Sequence, residues 1–212
     1  NRRSERTTRL YHRPFTISLT YQIMATYATW NPSDKDANIT LSGGNLIATA
    51  GSAWWSNVRA NIWVSSGKWY WEVKLTAWTT EAMAAVATLS ASLSIYTGGD
   101  AFWYGYYNVN GNKFNNNIWA WYGTSFATND VIGVALDMTA GTIIFYKNNV
   151  SQWVAYTGLS GTIYPMVGVA GIGRQFTANF WATTMAYTAP AWYNQGLYTW
   201  TANNNWMVAF FY

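Results

Sequence analysis

Between Gly67 and Leu75 the chain alternates, with Trp69, Trp71, Val73 and Leu75 in one set and Tyr70, Glu72 and Lys74 in the other. A period of two sends successive side chains to opposite faces, so the stretch predicts a half-buried strand with the Trp69 set inward. The region 130–149 reads as two strands, 131–136 and 142–147, joined through Asp137, Met138, Thr139, Ala140 and Gly141. Asn148 and Asn149 offer a two-residue turn into another strand at 150–156, because asparagine tolerates positive φ better than most residues. Elsewhere Gly, Asn, Thr and Ser punctuate short β-rich runs, a spacing that predicts an all-β sandwich or barrel. Further strands are expected at 39–41, 46–49, 57–62, 82–88, 104–108, 164–169 and 177–180. The stretch 98–129, rich in Gly, Asn and Tyr, reads as a long loop with short strands, and the residues from 190 onward as an arm.

Two of these strand regions carry family motifs. Gly67-Lys68-Trp69-Tyr70-Trp71-Glu72-Val73, followed by Asp130-Val131-Ile132-Gly133-Val134-Ala135-Leu136-Asp137-Met138 and then Gly141 with Phe145-Tyr146-Lys147-Asn148, resembles the SPRY domain. The stretches 162–167 and 177–180 are similar to the strands that close that domain, and the resemblance covers 29–198. It implies a bent antiparallel β-sandwich of two sheets, concanavalin A-like, that binds ligands and performs no chemistry. It also implies structural roles for Trp69, Trp71, Glu72, Leu136, Asp137 and Gly141, with Asp137 capping a turn. Animal SPRY domains bind short peptide segments of partner proteins in a shallow pocket built from loops. The opening stretch Thr29-Trp30-Asn31-Pro32-Ser33-Asp34-Lys35 is more similar to SPRY proteins of phage and bacterial type. That resemblance implies a virion or cell-surface setting.

Composition narrows the partners. A chain of 212 residues suits one domain with a sizeable core, and no cysteine is present to form a disulfide or a thiolate metal site. Five of the 12 Lys and Arg, against Glu5 alone, fall within residues 1–23; the remainder balances seven against seven. The basic character therefore belongs to the leader, and a neutral domain does not suggest nucleic acid. The leader is Arg-rich but lacks the apolar core of a secretory signal. We expect 1–23 to be upstream sequence outside the native protein, 24–198 to form the sandwich, and 199–212 to be an arm or linker. Uncharged stretches such as 82–99 are too rich in Ser, Thr and Gly to read as a membrane span.

Chemistry is sparse. The single histidine, His12, lies in the leader and cannot supply a catalytic triad or a multi-histidine metal site. Glycan cleavage would need two facing carboxylates; Glu72 and Asp137 are the acids that test this reading, and no clustered acids accompany them. Asp34 and Asp36 suit a solvated turn more than a Ca²⁺ site. No catalytic residue, metal or cofactor is assigned. Sandwiches keep recognition in their loops, which makes Arg59, Tyr104, Tyr106, Tyr107, Asn110, Asn115 and Tyr122 the candidates for contacting a protein or glycan ligand. A lectin-like domain and a structural spacer within a fibre are the alternatives.

Fifteen tryptophans are far more than a chain of 212 residues ordinarily carries. Trp63, Trp78, Trp153, Trp181 and Trp192 stand in turn or strand-end contexts where glycine is usual. Trp103, Trp119, Trp121, Trp200 and Trp206 also have small or polar neighbours. UGA is read as stop, tryptophan or glycine in different genetic codes. We therefore expect about two-thirds of the 15 to be glycines of a UGA-reading gene, because a bulky residue in left-handed backbone is strained by roughly 1–2 kcal/mol. The competing expectation is that these rings are genuine and stack on a ligand.

Overall fold

The computed structural model describes residues 22–77 and 81–203. They contain β1 (Gln22–Tyr27), β2 (Trp30–Lys35), β3 (Ile39–Ser42), β4 (Ile47–Ala50), β5 (Trp55–Ala60), β6 (Lys68–Leu75), β7 (Glu81–Ala87), β8 (Trp103–Tyr107) and β9 (Lys113–Asn115). There follow β10 (Ile118–Ala120), β11 (Val131–Asp137), β12 (Thr142–Lys147), β13 (Val150–Tyr156), β14 (Tyr164–Ala170), β15 (Gln175–Asn179), β16 (Asn194–Gln195) and β17 (Tyr198–Asn203). No helix occurs among the described residues, so none is long and apolar enough to cross a membrane. His12, Trp78 and Trp206 lie outside the described residues.

Two antiparallel sheets form the sandwich. One runs β10-β9-β8-β7-β14-β5-β2, the other β13-β12-β11-β6-β15-β4-β3. β16 joins the second sheet by pairing parallel with β6, while β1 and β17 form a separate antiparallel ribbon. Trp30, Trp71, Tyr106, Phe145, Phe176 and Phe180 lie in the buried apolar cluster between the layers. Trp30 meets Phe180 edge-to-face, with ring centroids 5.3 Å apart.

The turns follow from local chemistry. Asn148 and Asn149 adopt φ of 46° and 68°, making the expected link between β12 and β13. Asp137 caps the turn after β11: its Oδ1 accepts the amides of Thr139 (2.9 Å) and Ala140 (3.0 Å). The other carboxylate oxygen pairs with Lys68 at 2.8 Å. Burial opposes ionisation of Asp137, but Lys68 and the two amides outweigh it and hold its pKa below the ordinary 3.8.

β6 departs from the one-sided strand expected from its alternation. Tyr70 and Glu72 are as buried as Trp71 and Val73, while Trp69 is only partly covered. The reason is the late part of the chain, which covers the face expected to meet water. The amides of Ala186 and Tyr187 each donate to the Glu72 carboxylate at 2.8 Å, and the Tyr70 hydroxyl donates at 3.2 Å. The Gly196 amide donates to the Tyr70 carbonyl at 2.7 Å beside the parallel pairing of β16 with β6. Trp69 instead donates from its indole to the Ser66 carbonyl (2.8 Å) and lies edge-on to Tyr198. β1 begins before the boundary expected at residue 24, and β17 runs past the one expected at 198.

Candidate recognition surface

One end of the sandwich is built by β8, the β9–β10 hairpin and the segment 121–126, set against β12 and β13 of the opposite sheet. Cross-sheet hydrogen bonds fix it. The Tyr156 hydroxyl lies 2.8 Å from the carbonyls of both Gly105 and Phe114, and Lys113 donates to the Ala155 carbonyl. Gln152 Oε1 accepts from the Thr124 amide at 2.8 Å and approaches the Thr124 hydroxyl at 3.1 Å.

Asn110-Gly111-Asn112 makes the turn into β9. Asn110 Oδ1 accepts the Asn112 amide at 3.1 Å, and the Gly123 amide donates to the Gly111 carbonyl at 2.8 Å. Only glycine fits at 111, where φ is 75° and a Cβ would collide with the Gly123 backbone. Asn116 and Asn117, with φ of 53° and 64°, turn β9 into β10 and set Trp119 opposite Phe114. These turns enclose an open depression of about 280 Å³ lined by Asn110, Asn112, Phe114, Trp119 and Trp121.

Asn112 forms part of the wall of this depression. It is 3% exposed, and its side-chain Oδ1 is buried without a hydrogen-bond partner. A buried acceptor left unpaired is unfavourable by roughly 1–3 kcal/mol. Trp119 and Trp121 are exposed beside it. The depression thus offers exposed aromatic faces, suited to a ligand that presents an apolar group.

The residues singled out from sequence divide sharply. Asn110 lines the depression. Tyr122 and Asn115 stand in the same end of the fold but are committed internally. The Tyr122 hydroxyl donates to the Trp153 carbonyl at 2.8 Å, and Asn115 Nδ2 donates to the carbonyls of Ala101 and Trp103. Tyr104 packs edge-on against Tyr156 at 5.2 Å. Tyr106 is fully buried and donates to the Thr124 carbonyl; burial pushes its hydroxyl pKa up to about 12. Tyr107 donates to Glu81 at 2.9 Å, and burial together with that carboxylate raises its pKa.

Arg59 is 4% exposed on β5, separated from β8 by β14 and β7. Its guanidinium makes two 2.7 Å bonds to the Asp34 carboxylate and donates to the carbonyls of Ala91 and Thr88. Asn112 went unmarked in the sequence, although it stands two residues after Asn110 in an Asn-Gly-Asn turn. Nothing in a linear string shows that one of two neighbouring amides loses both water and partner.

The acids of the glycan-cleaving alternative are both engaged by the fold: Glu72 by amides and Tyr70, Asp137 by Lys68 and its turn. Burial raises the pKa of Glu72, with the amides of Ala186 and Tyr187 and the Tyr70 hydroxyl opposing the shift. Among the described residues, no group of three or more His, Cys, Asp or Glu could hold a metal ion.

Comparison with known proteins gives a coherent result. The family model described as SPRY domain matches residues 68–182. Ran-binding protein 9 of Xenopus tropicalis is 32% identical over 164 residues, covering 72% of this chain and 30% of that protein. The Homo sapiens protein of the same name is 30% identical over 164 residues, covering 72% of this chain and 22% of its own length. The SPRY domain of human HERC1 superposes with a TM-score of 0.65 at 21% identity, covering 73% of this chain and 99% of that domain. Stonustoxin superposes with a TM-score of 0.60 at 20% identity, covering 73% of this chain and 27% of its own.

These relatives do not support the expected phage or bacterial setting. The Ran-binding protein 9 sequences and HERC1 are vertebrate proteins, and none of those named bears a glycan-binding description. The misleading stretch was 29–35, whose residues serve the sandwich itself. Trp30 is in the core and Asp34 anchors Arg59, so they report the fold and not the setting.

Proposed function

Because the chain belongs to the SPRY domain family, we propose that it is a protein-recognition module whose contact surface is the depression around Asn112. The reading rests on the exposed indoles of Trp119 and Trp121 beside Phe114 in an open depression. A segment of a partner protein lays an apolar side chain against the indoles of Trp119 and Trp121. Aromatic faces give such a contact large area with few torsions to freeze. The charge balance outside the leader favours a neutral, hydrogen-bonding segment over nucleic acid. The chain spans less than a third of the Ran-binding protein 9 sequences it matches, with shares of 30% and 22%. Its partner is therefore read from this surface and not from their name.

The test is selection of binding peptides from a random library displayed against the domain, followed by titration of the selected peptides. Trp119→Ala and Trp121→Ala are each expected to weaken binding about tenfold, the equivalent of one aromatic contact. Trp121 is largely exposed, so its truncation leaves the core intact. Peptides that bind both variants as well as the unaltered domain would place recognition elsewhere.

A further inference from the structure

Nine non-glycine residues among those described have positive φ: Asn45, Asn116, Asn117, Asn129, Asn148, Asn149, Trp153, Trp181 and Trp192. Asparagine enters this region readily through local side-chain hydrogen bonds, whereas a bulky residue is a steric outlier there. Tryptophan is 15 of 212 residues, about one in fourteen, yet it supplies every member of the set that is not asparagine. No alanine, serine, threonine or tyrosine joins it.

Each site has a backbone reason to want glycine. Pro190-Ala191-Trp192-Tyr193 is a tight turn closed by the Tyr193 amide on the Pro190 carbonyl at 3.1 Å, with Trp192 third in the turn at φ 73°. A type II turn demands glycine or asparagine at that position. Trp153, at φ 70°, sits where the pairing of β12 with β13 slips register, a bulge site of the kind glycine occupies. Trp181, at φ 83°, follows Asn179, whose Oδ1 accepts its amide at 2.9 Å.

Burial gives little reason for the indoles. Trp192 is 92% exposed and Trp153 78%. Trp181 alone has ring neighbours, Tyr27 at 6.3 Å and Tyr198 at 5.8 Å. Trp30, Trp71 and Trp103 behave oppositely, with ordinary φ and complete burial. Trp119 and Trp121 also keep ordinary φ.

We propose that residues 153, 181 and 192 are glycines in the polypeptide as its source makes it, encoded by UGA and inserted by a glycine-charged tRNA that reads this codon. The expectation of wholesale replacement thereby narrows to the sites where the backbone requires it; Trp103, at ordinary φ and fully buried, is not among them.

The coding DNA and the protein isolated from its source test this together. UGA is expected at the three codons and UGG at those of Trp30, Trp71 and Trp103. Trypsin releases 148–174, after Lys147 and through Arg174, and this peptide is expected to carry glycine at 153. UGG at any of the three codons, or tryptophan in the native peptides, overturns the proposal. Unfolding of recombinant protein gives a second measure. Trp192→Gly and Trp153→Gly are each expected to raise the folding constant roughly five- to thirty-fold, with a smaller gain for Trp181→Gly because of its ring contacts. A fall in stability on Trp192→Gly would refute the steric premise. Neither readout depends on what the depression binds.

Discussion

Glu72 and Asn112 are equally hidden, each 3% exposed, yet their surroundings treat them in opposite ways. Glu72 lies on β6 beneath the late part of the chain and receives two amides and a hydroxyl. Asn112 lies at the edge of the opposite sheet with an oxygen that receives nothing. A buried polar group supplied with partners locks segments together, whereas one left short of a partner holds nothing in place. The difference separates a group that maintains the sandwich from one on which the sandwich does not rely.

Removing the supplied group is expected to have the largest effect. Glu72→Ala strands the Ala186 and Tyr187 amides and the Tyr70 hydroxyl, destabilising the domain by about 4 kcal/mol in urea titrations. A loss below 1 kcal/mol would show that the covering segment does not depend on this carboxylate. Arg59→Ala comes next, at about 3 kcal/mol, because it leaves Asp34 and two carbonyls without their donor. At the other extreme, Asn112→Leu is expected to leave stability within about 1 kcal/mol, since Oδ1 has no bond to lose. A large loss there would erase the contrast.

The pH dependence sharpens the comparison with a smaller effect. The folded pKa of Glu72 is raised, mainly by burial, so its contribution is greatest below the ordinary value of 4.5 and declines as pH rises through the folded value. The folded pKa of Asp137 is lowered, so its contribution is present above 3.8 and lost as pH falls through the folded value. The urea midpoint is therefore expected to pass through a maximum in the acid range. Asp137→Asn flattens the acid limb, and Glu72→Gln flattens the opposite one.

Local rules made much of the sandwich legible. β6, β11, β12 and β13 stand near their expected positions because alternation and the Asn148-Asn149 turn operate over a few residues. β16 and β17 were read only as an arm, since their partners, β6 and β1, are more than a hundred residues away in sequence. The same distance hid the burial of Tyr70 and Glu72, because alternation assigns faces but not what covers them. Loop chemistry brought Asn110 into view, yet it also suggested Arg59 and Tyr106, whose polar groups turned out to be bonded inside the fold. Asn112 shows the converse: accessibility and partner supply are properties of packing, which residue type alone does not encode.

The β1–β17 ribbon carries a mechanical consequence. Gln22 faces Asn203 and Tyr27 faces Tyr198, so the chain enters and leaves at points about 5 Å apart. Tension applied between residues 22 and 203 would load the ribbon from its open end, one rung after another, and peel it before reaching the sandwich. The two strands would act as a fuse, yielding at low force while the sheets beyond them remain intact.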